Sequence, residues 1–233
     1  MCGLSVIVPT LNEERHVDSL LADVAAQTRE PDEVLVVDAD STDETAAVVR
    51  RFPFARLLSG EPPVAGTWAA VRRREPFWCF STRTFGCQRG FFEGLLEDFD
   101  RRSLDVACPL YVPYRSTRAV EAFYAVFNLV TRAFQSTLPS GAGHCIALRR
   151  DVFRGSRGFD PDLKFDDIEL IRRLSRGRRF GIVKQRVLVS DRRYREHGVP
   201  RMILRYALMA LFFALGRYAW ANRMEYEFGG HEH

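Results

Sequence analysis

Two apolar segments near the N-terminus each end abruptly in polar and acidic residues. The first, LSVIVPTLNEE, covers residues 4–14, and the second, VLVVDADSTDET, covers residues 34–45. Leu4–Val8 and Val34–Val37 have the length and the β-branched content of strands, and each precedes residues with helical spacing. This order predicts two successive β-α units in a parallel sheet, and therefore an α/β fold.

The polar residues that follow these two strands predict a ligand site. In open α/β sheets ligands lie beyond the carboxyl ends of the strands. Six residues fall there: Pro9, Thr10, Asn12, Glu13, Asp38 and Asp40. The simpler alternative is that Asn12 and Glu13 cap the first helix and that Asp38 only ends a strand.

Two motifs resemble those of the family 2 inverting glycosyltransferases of the GT-A fold. They are Val8-Pro9-Thr10-Leu11-Asn12-Glu13 and Asp38-Ala39-Asp40-Ser41-Thr42-Asp43. The family shows Val-Pro-x-x-Asn-Glu after the first strand and Asp-Asp-Gly-Ser-x-Asp after the second, so Ala39 and Asp40 depart from the second pattern. The resemblance implies a single GT-A domain, with a mostly parallel central sheet flanked by helices.

The same resemblance implies a nucleotide sugar as the donor. By this resemblance, Pro9, Thr10 and Glu13 border the base and ribose, and Asp38 accepts hydrogen bonds from the base. Asn12 and Asp40 complete the implied nucleotide-binding set. A Rossmann dehydrogenase is disfavoured because no Gly-x-Gly-x-x-Gly follows the first strand.

The length of 233 residues, 46% of them hydrophobic, suits one α/β domain with a full core. We expect a GT-A domain over 1–198, with 62–90 anomalous, then an amphipathic or membrane-associated helix over 199–228 and a tail over 229–233. The N-terminus enters a strand without a basic start or an apolar signal region, which predicts a cytoplasmic catalytic part. The five cysteines are scattered, so neither a disulfide framework nor a zinc site is predicted.

A second segment resembles the acceptor side of the same transferases. SGAGHCIALRRDVF begins at Ser140, and GFDPDLKFDDIELIRRL begins at Gly158. The resemblance implies that Asp166 and Asp167 form the acidic pair that opens a helix, with Asp167 as the general base on the acceptor hydroxyl. Inversion by a single displacement needs such a carboxylate to take the proton. The alternative is that both acids only cap the helix and complement its dipole.

The family's metal ligands are missing from their usual place. An apolar strand should end in Asp-x-Asp, whose carboxylates hold Mg or Mn against the donor diphosphate. Here the strand is Phe77-Trp78-Cys79-Phe80, and the next three residues are Ser81, Thr82 and Arg83. We therefore assign no metal ligand, although the resemblance implies a metal.

A compensated frameshift accounts for this anomaly. When residues 80–89 are back-translated and the third base of each codon is read with the first two bases of the next, they permit Leu-Asp-Ala-Asp-Val-Arg-Leu-Pro-Ala-Gly, which contains the missing motif. One base lost near Ala65 and one gained near Gly90 suffice. The alternative is an adaptation in which Arg83 supplies positive charge in place of metal. For the chain with these residues we expect weak or no transfer, and irregular structure between Pro62 and Gly90 that fits the sheet poorly.

The net charge of +4 conceals a strong asymmetry along the chain. Residues 1–50 contain eleven Asp or Glu and three Arg, whereas residues 171–205 contain twelve Lys or Arg and two acids. The basic end is expected to meet phosphate from a donor, a lipid or a lipid-linked acceptor, and nucleic acid is disfavoured because its motifs are absent. By resemblance, Arg192 and Arg193 contact the donor phosphates. A solvated basic loop is the alternative.

The C-terminal segment from Met202 to Trp220 is strongly apolar. Arg205 and Arg217 leave only eleven uninterrupted residues between them, fewer than the roughly twenty that a membrane span needs. A helix in the membrane interface is predicted, with packing on protein or a second subunit as the alternative. Residues 117–134 also have a helical pattern, which we assign to core packing.

The leading hypothesis is a glycosyltransferase that moves a sugar from a nucleoside diphosphate donor to an acceptor hydroxyl, with inversion. The acceptor is lipid-linked or a polysaccharide, and the enzyme is expected to be peripheral at the inner face of the cell membrane. A catalytically inactive nucleotide-sugar-binding or scaffold protein is the alternative. The sequence identifies neither the sugar nor the acceptor.

Overall fold

A computed structural model describes residues 3–59, 77–81, 84–141, 143–160, 162–163 and 166–216. The strands in these ranges are β1 Leu4–Thr10, β2 Glu33–Asp38, β3 Ala55–Ser59, β4 Phe77–Ser81, β5 Thr84–Cys87, β6 Val106–Pro113, β7 Cys145–Arg149 and β8 Phe180–Val189. The helices are α1 Glu14–Ala25, α2 Thr45–Arg50, α3 Phe91–Arg102, α4 Arg118–Ala133, α5 Arg150–Arg154, α6 Asp166–Ser175, α7 Arg192–His197 and α8 Val199–Ala214.

These strands form one mixed sheet in the order β3-β2-β1-β4-β7-β6-β8-β5. The pairs β1/β2, β1/β4, β2/β3 and β6/β8 are parallel, and β7 runs antiparallel to both β4 and β6. The carboxyl ends of β1 to β4, β6 and β8 therefore point to one edge, and β7 begins at that edge. The α/β class is as predicted.

Apolar alternation along the strands builds a core on each face of the sheet. Val6 and Val8 pack with one cluster, which includes residues of α1, α3 and α4, whereas Ile7 packs with residues of α5 and α6. The helical spacing predicted after the first strand is confirmed, because α1 buries Val17, Leu20, Leu21 and Val24 on one face. Ala25, which has the same spacing, is exposed.

The prediction of irregular structure between Pro62 and Gly90 is wrong for β4 and β5. The backbone of β4 lies in the middle of the sheet, where Ile7 is in register with Phe80 and Cys79 with Ala147. Backbone hydrogen bonding does not depend on side-chain identity, and the aromatic residues of this segment suit a strand. Residues 60–76 and 82–83 lie outside the described residues, as do 217–233, which include the predicted tail.

Candidate functional site

The donor edge is built where β1 and β2 end side by side. Thr10 is in register with Asp38, and the Thr10 hydroxyl donates a hydrogen bond to Asp38 Oδ1 at 3.0 Å. The Ser41 hydroxyl donates to the same oxygen, and the Ser41 amide donates to Oδ2 at 3.1 Å. Parallel pairing thus places the predicted residues Thr10 and Asp38 in direct contact.

The Asp38 carboxylate is held by these neighbours but keeps some acceptor capacity. Its residue is 5% exposed. A carboxylate has about four lone-pair positions, and the three bonds from Thr10 and Ser41 leave one on Oδ2. Asp38 therefore does more than end a strand, since it organises the loop that follows β2.

Asn12 joins the two loops instead of capping the first helix. The side-chain oxygen of Asn12 accepts from the Thr42 backbone amide at 2.9 Å, and the backbone amide of Asn12 donates to the Ser41 hydroxyl at 2.9 Å. Its φ of 52° lies in the left-handed region, which Asn tolerates better than most residues. The N-cap of α1 is Glu13, which makes no side-chain capping bond. The capping alternative is therefore wrong for Asn12, whereas Glu13 does hold the N-cap position.

A second set of bonds ties the start of α1 to the start of α2. The Glu13 amide donates to the Thr45 hydroxyl at 2.8 Å, and the Glu14 amide donates to Asp43 Oδ2 at 3.1 Å. Burial alone would raise the pKa of Asp43, but hydrogen bonds from the Thr45 side chain and from the Thr45 and Glu14 amides lower it below its usual range. These bonds fix the distance between the two loops.

The remaining predicted donor residues border this network. Pro9 is partly buried in β1, in register with Val37, and Glu13 is partly buried at the start of α1. Asp40 is exposed with a φ of 56°. The structure therefore brings all six predicted nucleotide-binding residues to one edge of the sheet.

Asp167 lies at the start of α6, pressed against the loop that precedes β7. Its Oδ1 accepts from the Ile168 amide at 2.8 Å, and the Gly143 amide also donates to the carboxylate. A Cβ added to Gly143 would lie 2.1 Å from Asp167 Oδ2, so only glycine fits there with Asp167 in place. Burial raises the pKa of Asp167, and the two amide bonds oppose that rise.

Asp166 has a raised pKa as well. Burial, followed by the charge of the neighbouring Asp167, raises the pKa of Asp166 to about 7. A carboxylate with a pKa near the working pH is an effective proton acceptor. The acidic pair therefore has the electrostatic character that a general base requires, in addition to its place in the first turn of a helix.

Strand register places β4 between the donor edge and the acidic pair. Ser81, at the end of β4, is in register with Cys145, and Gly143 lies two residues before Cys145. Because β2, β1, β4 and β7 are neighbours about 4.8 Å apart, Asp38 and this loop are separated by about 14 Å at the backbone. The two sides thus lie on either side of the end of β4.

The residues at and after the end of β4 do not have the chemistry of ligands for a divalent metal. Mg²⁺ and Mn²⁺ prefer carboxylate and other oxygen ligands, and the segment Ser81-Thr82-Arg83 contains no carboxylate. Among the residues that the structure describes, no group of three His, Cys, Asp or Glu side chains is placed to hold a metal ion.

Arg192 and Arg193 lie in α7, which follows the end of β8 at the same edge of the sheet. The Arg192 side chain is exposed and forms an ion pair with Glu196 at 3.3 Å. The Arg193 side chain hydrogen bonds to Tyr206 of α8. These contacts direct Arg193 toward α8, and its role at the donor phosphates stays a prediction.

Two cavities among the described residues lie away from this edge. One, of about 330 Å³, is lined by residues that include Arg102, Gln135 and Arg179, and the other by residues that include Asp98 and Lys184. The candidate site is therefore defined by strand register and side-chain contacts.

Comparison with known proteins fits this geometry. Residues 5–73 match the family described as Glycosyl transferase family 2. These residues are similar to a family 2 glycosyltransferase domain. The match contains both N-terminal motifs and ends before the Ser81-Thr82-Arg83 segment. The predicted resemblance to family 2 is confirmed over this segment.

A curated relative points in the same direction. The chain is 27% identical over 144 residues to the 4,4'-diaponeurosporenoate glycosyltransferase of Staphylococcus aureus, strain MRSA252. That alignment covers 55% of this chain and 36% of the relative, so the chain spans about a third of the relative's length.

Solved glycosyltransferase structures share the fold. The mannosyltransferase PcManGT from Pyrobaculum calidifontis, in complex with GDP-Man and Mn²⁺, has a TM-score of 0.65 and 20% identity over 80% of this chain and 56% of its own. S. aureus TarS with UDP-GlcNAc has a TM-score of 0.63 and 19% identity over 81% and 58%. Glucosyl-3-phosphoglycerate synthase from Mycobacterium tuberculosis, with Mn²⁺, UDP and glucosyl-3-phosphoglycerate, has a TM-score of 0.56 and 18% identity over 89% and 79%. These similarities confirm the GT-A fold.

Sequence reasoning missed three contributors to the site. Ser41 binds Asp38, Gly143 presses on Asp167, and Arg172 of α6 bonds to the Ser140 hydroxyl at 3.2 Å. The small-residue run around Gly143 was a visible signal, because two glycines in a short loop indicate close approach of the backbone to another group. The role of Ser41 depends on pairing between β1 and β2, which local patterns do not reveal.

Proposed function

We propose that this chain is built to transfer a sugar from a nucleoside diphosphate donor to an acceptor hydroxyl, with inversion. The observation that carries the proposal is the register that sets Asp38 and the acidic pair on opposite sides of β4 at one edge. A donor across this edge would have its base at Thr10 and Asp38 and its sugar toward Asp167. PcManGT and TarS in the complexes above hold GDP-Man and UDP-GlcNAc, which are donors of this class.

Asp167 is the proposed general base. As the acceptor oxygen bonds to the anomeric carbon, the bond from that carbon to the donor phosphate oxygen breaks, and the acceptor proton passes to the Asp167 carboxylate. The electron pair of the broken bond leaves with the nucleoside diphosphate. The raised pKa makes the carboxylate a stronger base than an exposed Asp, because its protonated form is favoured in the partly buried site.

The chain as it stands is expected to turn over weakly. Two of the solved neighbours above contain Mn²⁺, whereas the Ser81-Thr82-Arg83 segment offers no carboxylate. The proposed displacement therefore uses protein groups alone. We propose that a compensated frameshift across codons 65–90 replaced the ancestral ligands, and resequencing the gene across these codons tests that origin directly.

Restoring the two carboxylates tests the proposed function. The double variant S81D/R83D places acids at both ends of the segment, and S81N/R83N is the matched control without charge. A thermal-shift screen of UDP and GDP sugars first identifies a donor, since a ligand that binds the folded state raises the melting temperature. We then expect release of nucleoside diphosphate with Mn²⁺ or Mg²⁺ to rise by at least about tenfold in S81D/R83D and not in S81N/R83N. Equal rates in the native chain and both variants would contradict the proposal.

A second function is favoured by the missing carboxylates alone. The chain would then bind a nucleotide sugar without transferring it, as a binding or scaffold protein. Donor binding with no turnover in S81D/R83D, even at high metal concentration, would favour this alternative.

The acceptor and the location are also proposals. The relative with 27% identity is named for glycosylation of 4,4'-diaponeurosporenoate, and it is aligned over only 36% of its length. We propose a lipid-linked or polysaccharide acceptor and a peripheral position at the inner face of the cell membrane. None of the described helices is both long enough and apolar enough to cross a membrane.

A further inference from the structure

Two helices on one side of the molecule expose long rows of apolar side chains. On α8 and just after it the exposed leucines are Leu204, Leu208, Leu211 and Leu215, between 40% and 62% exposed. On α4 and just after it the exposed residues are Val126 at 60%, Leu129 at 68%, Val130 at 48% and Phe134 at 54%. The sequence had assigned residues 117–134 to core packing, and this holds for only one face of α4.

Helical spacing places each row on the side of its helix away from the core. On α8 the buried residues are Met202, Met209 and Phe213, about half a turn from the leucine row at 100° per residue. On α4 the buried residues are Val120, Tyr124 and Thr131, and the exposed row lies on the outer side. Each helix therefore has one apolar face in the core and a second that faces outward.

The two exposed rows belong to neighbouring helices. The rings of Phe123 on α4 and Tyr206 on α8 stack with centroids 5.9 Å apart and planes at 23°. At 100° per residue, Val130 lies on nearly the same side of α4 as Phe123. The exposed row therefore reaches the side of α4 that contacts α8. We call the combined surface of these eight exposed residues the α4–α8 face.

The charges around this surface are predominantly positive. The α8 sequence, VPRMILRYALMALFFA, contains Arg201 and Arg205 and no acidic residue. The α4 sequence contains Arg118 and Arg132 against Glu121. An apolar surface bordered by arginines is complementary to a bilayer with anionic headgroups, where the leucines enter the acyl boundary and the guanidinium groups meet phosphate.

We propose that the α4–α8 face docks on an anionic phospholipid bilayer and so presents the acceptor side of the site to the lipid surface. This inference rests on the proposed function for the meaning of the acceptor side, but the docking itself does not require transfer. It also extends the membrane contact from the C-terminal helix to α4.

One side chain connects this surface with the acceptor side. Arg172 of α6 donates to the Pro139 carbonyl at 3.3 Å and to the Ser140 hydroxyl at 3.2 Å, and it also donates to the Phe213 carbonyl near the end of α8. Because α6 begins with Asp166 and Asp167, the same helix carries the acidic pair and holds α8. Docking through α8 would place the acidic pair near the membrane surface.

A second copy of this chain is a weaker occupant. A two-fold contact through the α4–α8 face would cover Arg201 and Arg205 in both copies, with no carboxylate on α8 to neutralise them. Anionic lipid supplies that neutralising charge.

Vesicle co-sedimentation of the full chain tests the inference. Vesicles of phosphatidylcholine alone are compared with vesicles that also contain phosphatidylglycerol, and we expect binding to the anionic vesicles that weakens at high salt. Leu129→Glu on α4 and Leu211→Glu on α8 should each reduce partitioning by at least about tenfold, because each replaces an inserted leucine with a charge. Phe54→Glu, at a residue that is 43% exposed on the loop before β3, is the matched control and should bind like the native chain.

Thermal unfolding and size measurements keep the result interpretable. All three residues are exposed, so we expect the melting temperatures of the variants to stay within a few degrees of the native value. Vesicle binding that Leu129→Glu leaves unchanged would overturn the α4–α8 face. A stable dimer that Leu211→Glu dissociates, without vesicle binding, would overturn it in favour of a second copy. Thermal-shift measurement of donor binding without vesicles is independent, so its failure would count against the proposed function alone.

Discussion

The two sides of the candidate site use their carboxylates differently. On the donor edge, Asp38 accepts three hydrogen bonds from Thr10 and Ser41, and the loops after β1 and β2 are cross-linked. On the acceptor side, Asp166 and Asp167 are partly buried with raised pKa values. The donor edge is thus organised for recognition by shape and hydrogen bonding, whereas the acceptor side is organised to accept a proton.

The strand between these two sides shows how far sheet geometry tolerates change in side chains. The backbone of β4 pairs with β1 and β7 although Ser81, Thr82 and Arg83 lack the family's carboxylates. Fold and chemistry are separable here, because pairing depends on the backbone and metal binding on two side chains. Both sides can therefore be tested by substitutions that leave the sheet intact.

The largest expected effect follows from removal of the proposed base. Asp167→Asn in the S81D/R83D background should lower turnover by about 10²–10⁴-fold, because Asn cannot accept the acceptor proton. Donor affinity should change by less than about twofold. The control is Asp162→Asn, an exposed acid shortly before α6. Release of nucleoside diphosphate measures turnover, and undiminished turnover in Asp167→Asn would remove the base from the account.

Gly143→Ala should act on the same side through position alone. The added Cβ would meet Asp167 Oδ2 at 2.1 Å, so the carboxylate must shift, and a displacement of about 1 Å costs on the order of 10²-fold in rate. In Gly155→Ala, the control, the nearest contact of the new Cβ is the Asp151 carbonyl oxygen at 3.3 Å. A fall in turnover rate without a change in donor affinity is the expected signature. Equal loss in both variants would indicate a general packing defect.

Asp38→Asn should weaken the donor edge by a smaller amount. In the variant, an NH₂ group replaces one of the two carboxylate oxygens that accept from Thr10 and Ser41. A hydrogen-bond donor then faces another donor, and the lost bond costs about 1–3 kcal/mol. We expect donor affinity to fall by about tenfold, measured by calorimetric titration. Asp18→Asn, at an exposed ion pair with Arg51, is the control. If affinity is the same in both variants, Asp38 does not hold the nucleotide.

The smallest expected effect is the pH dependence of stability at Asp166. Because the pKa of Asp166 is raised to about 7 from 3.8, the folded chain binds more protons than the unfolded chain between these values, and the free energy of unfolding falls as pH rises through this range. In Asp166→Asn the free energy of unfolding should no longer fall over this range. The variant should therefore be about 1–2 kcal/mol more stable than the native chain at pH 8, and equally stable at pH 4. Denaturant unfolding at both values measures it, and a pH-independent difference would contradict the raised pKa.

Local patterns predicted the elements that carry their own periodicity. The β-branched runs of β1 and β2 and the helical spacing of α1 were found because each leaves a signal within about ten residues. The strand β8, Phe180–Val189, likewise contains short apolar runs rich in β-branched residues. The short helix α5 was missed, since five residues cannot show helical periodicity.

Long-range pairing explains what the sequence could not predict. The antiparallel direction of β7 depends on its partners β4 and β6. The hydrogen bond between Asn12 and Ser41 depends on the loop after β1. Ser41 and Thr42 are of residue types that often cap helices, but the N-cap of α2 is Glu44, without a side-chain bond. Tertiary hydrogen bonds to Asp38 and Asn12 outweighed the local preference for capping.

A crystal structure with the nucleoside diphosphate sugar selected by the thermal-shift screen tests the central claim most directly. The account predicts the base against Thr10 and Asp38, and the anomeric carbon of the sugar facing the Asp167 carboxylate across the end of β4. A nucleotide bound elsewhere, or an Asp167 carboxylate that points away from the bound sugar, would contradict it.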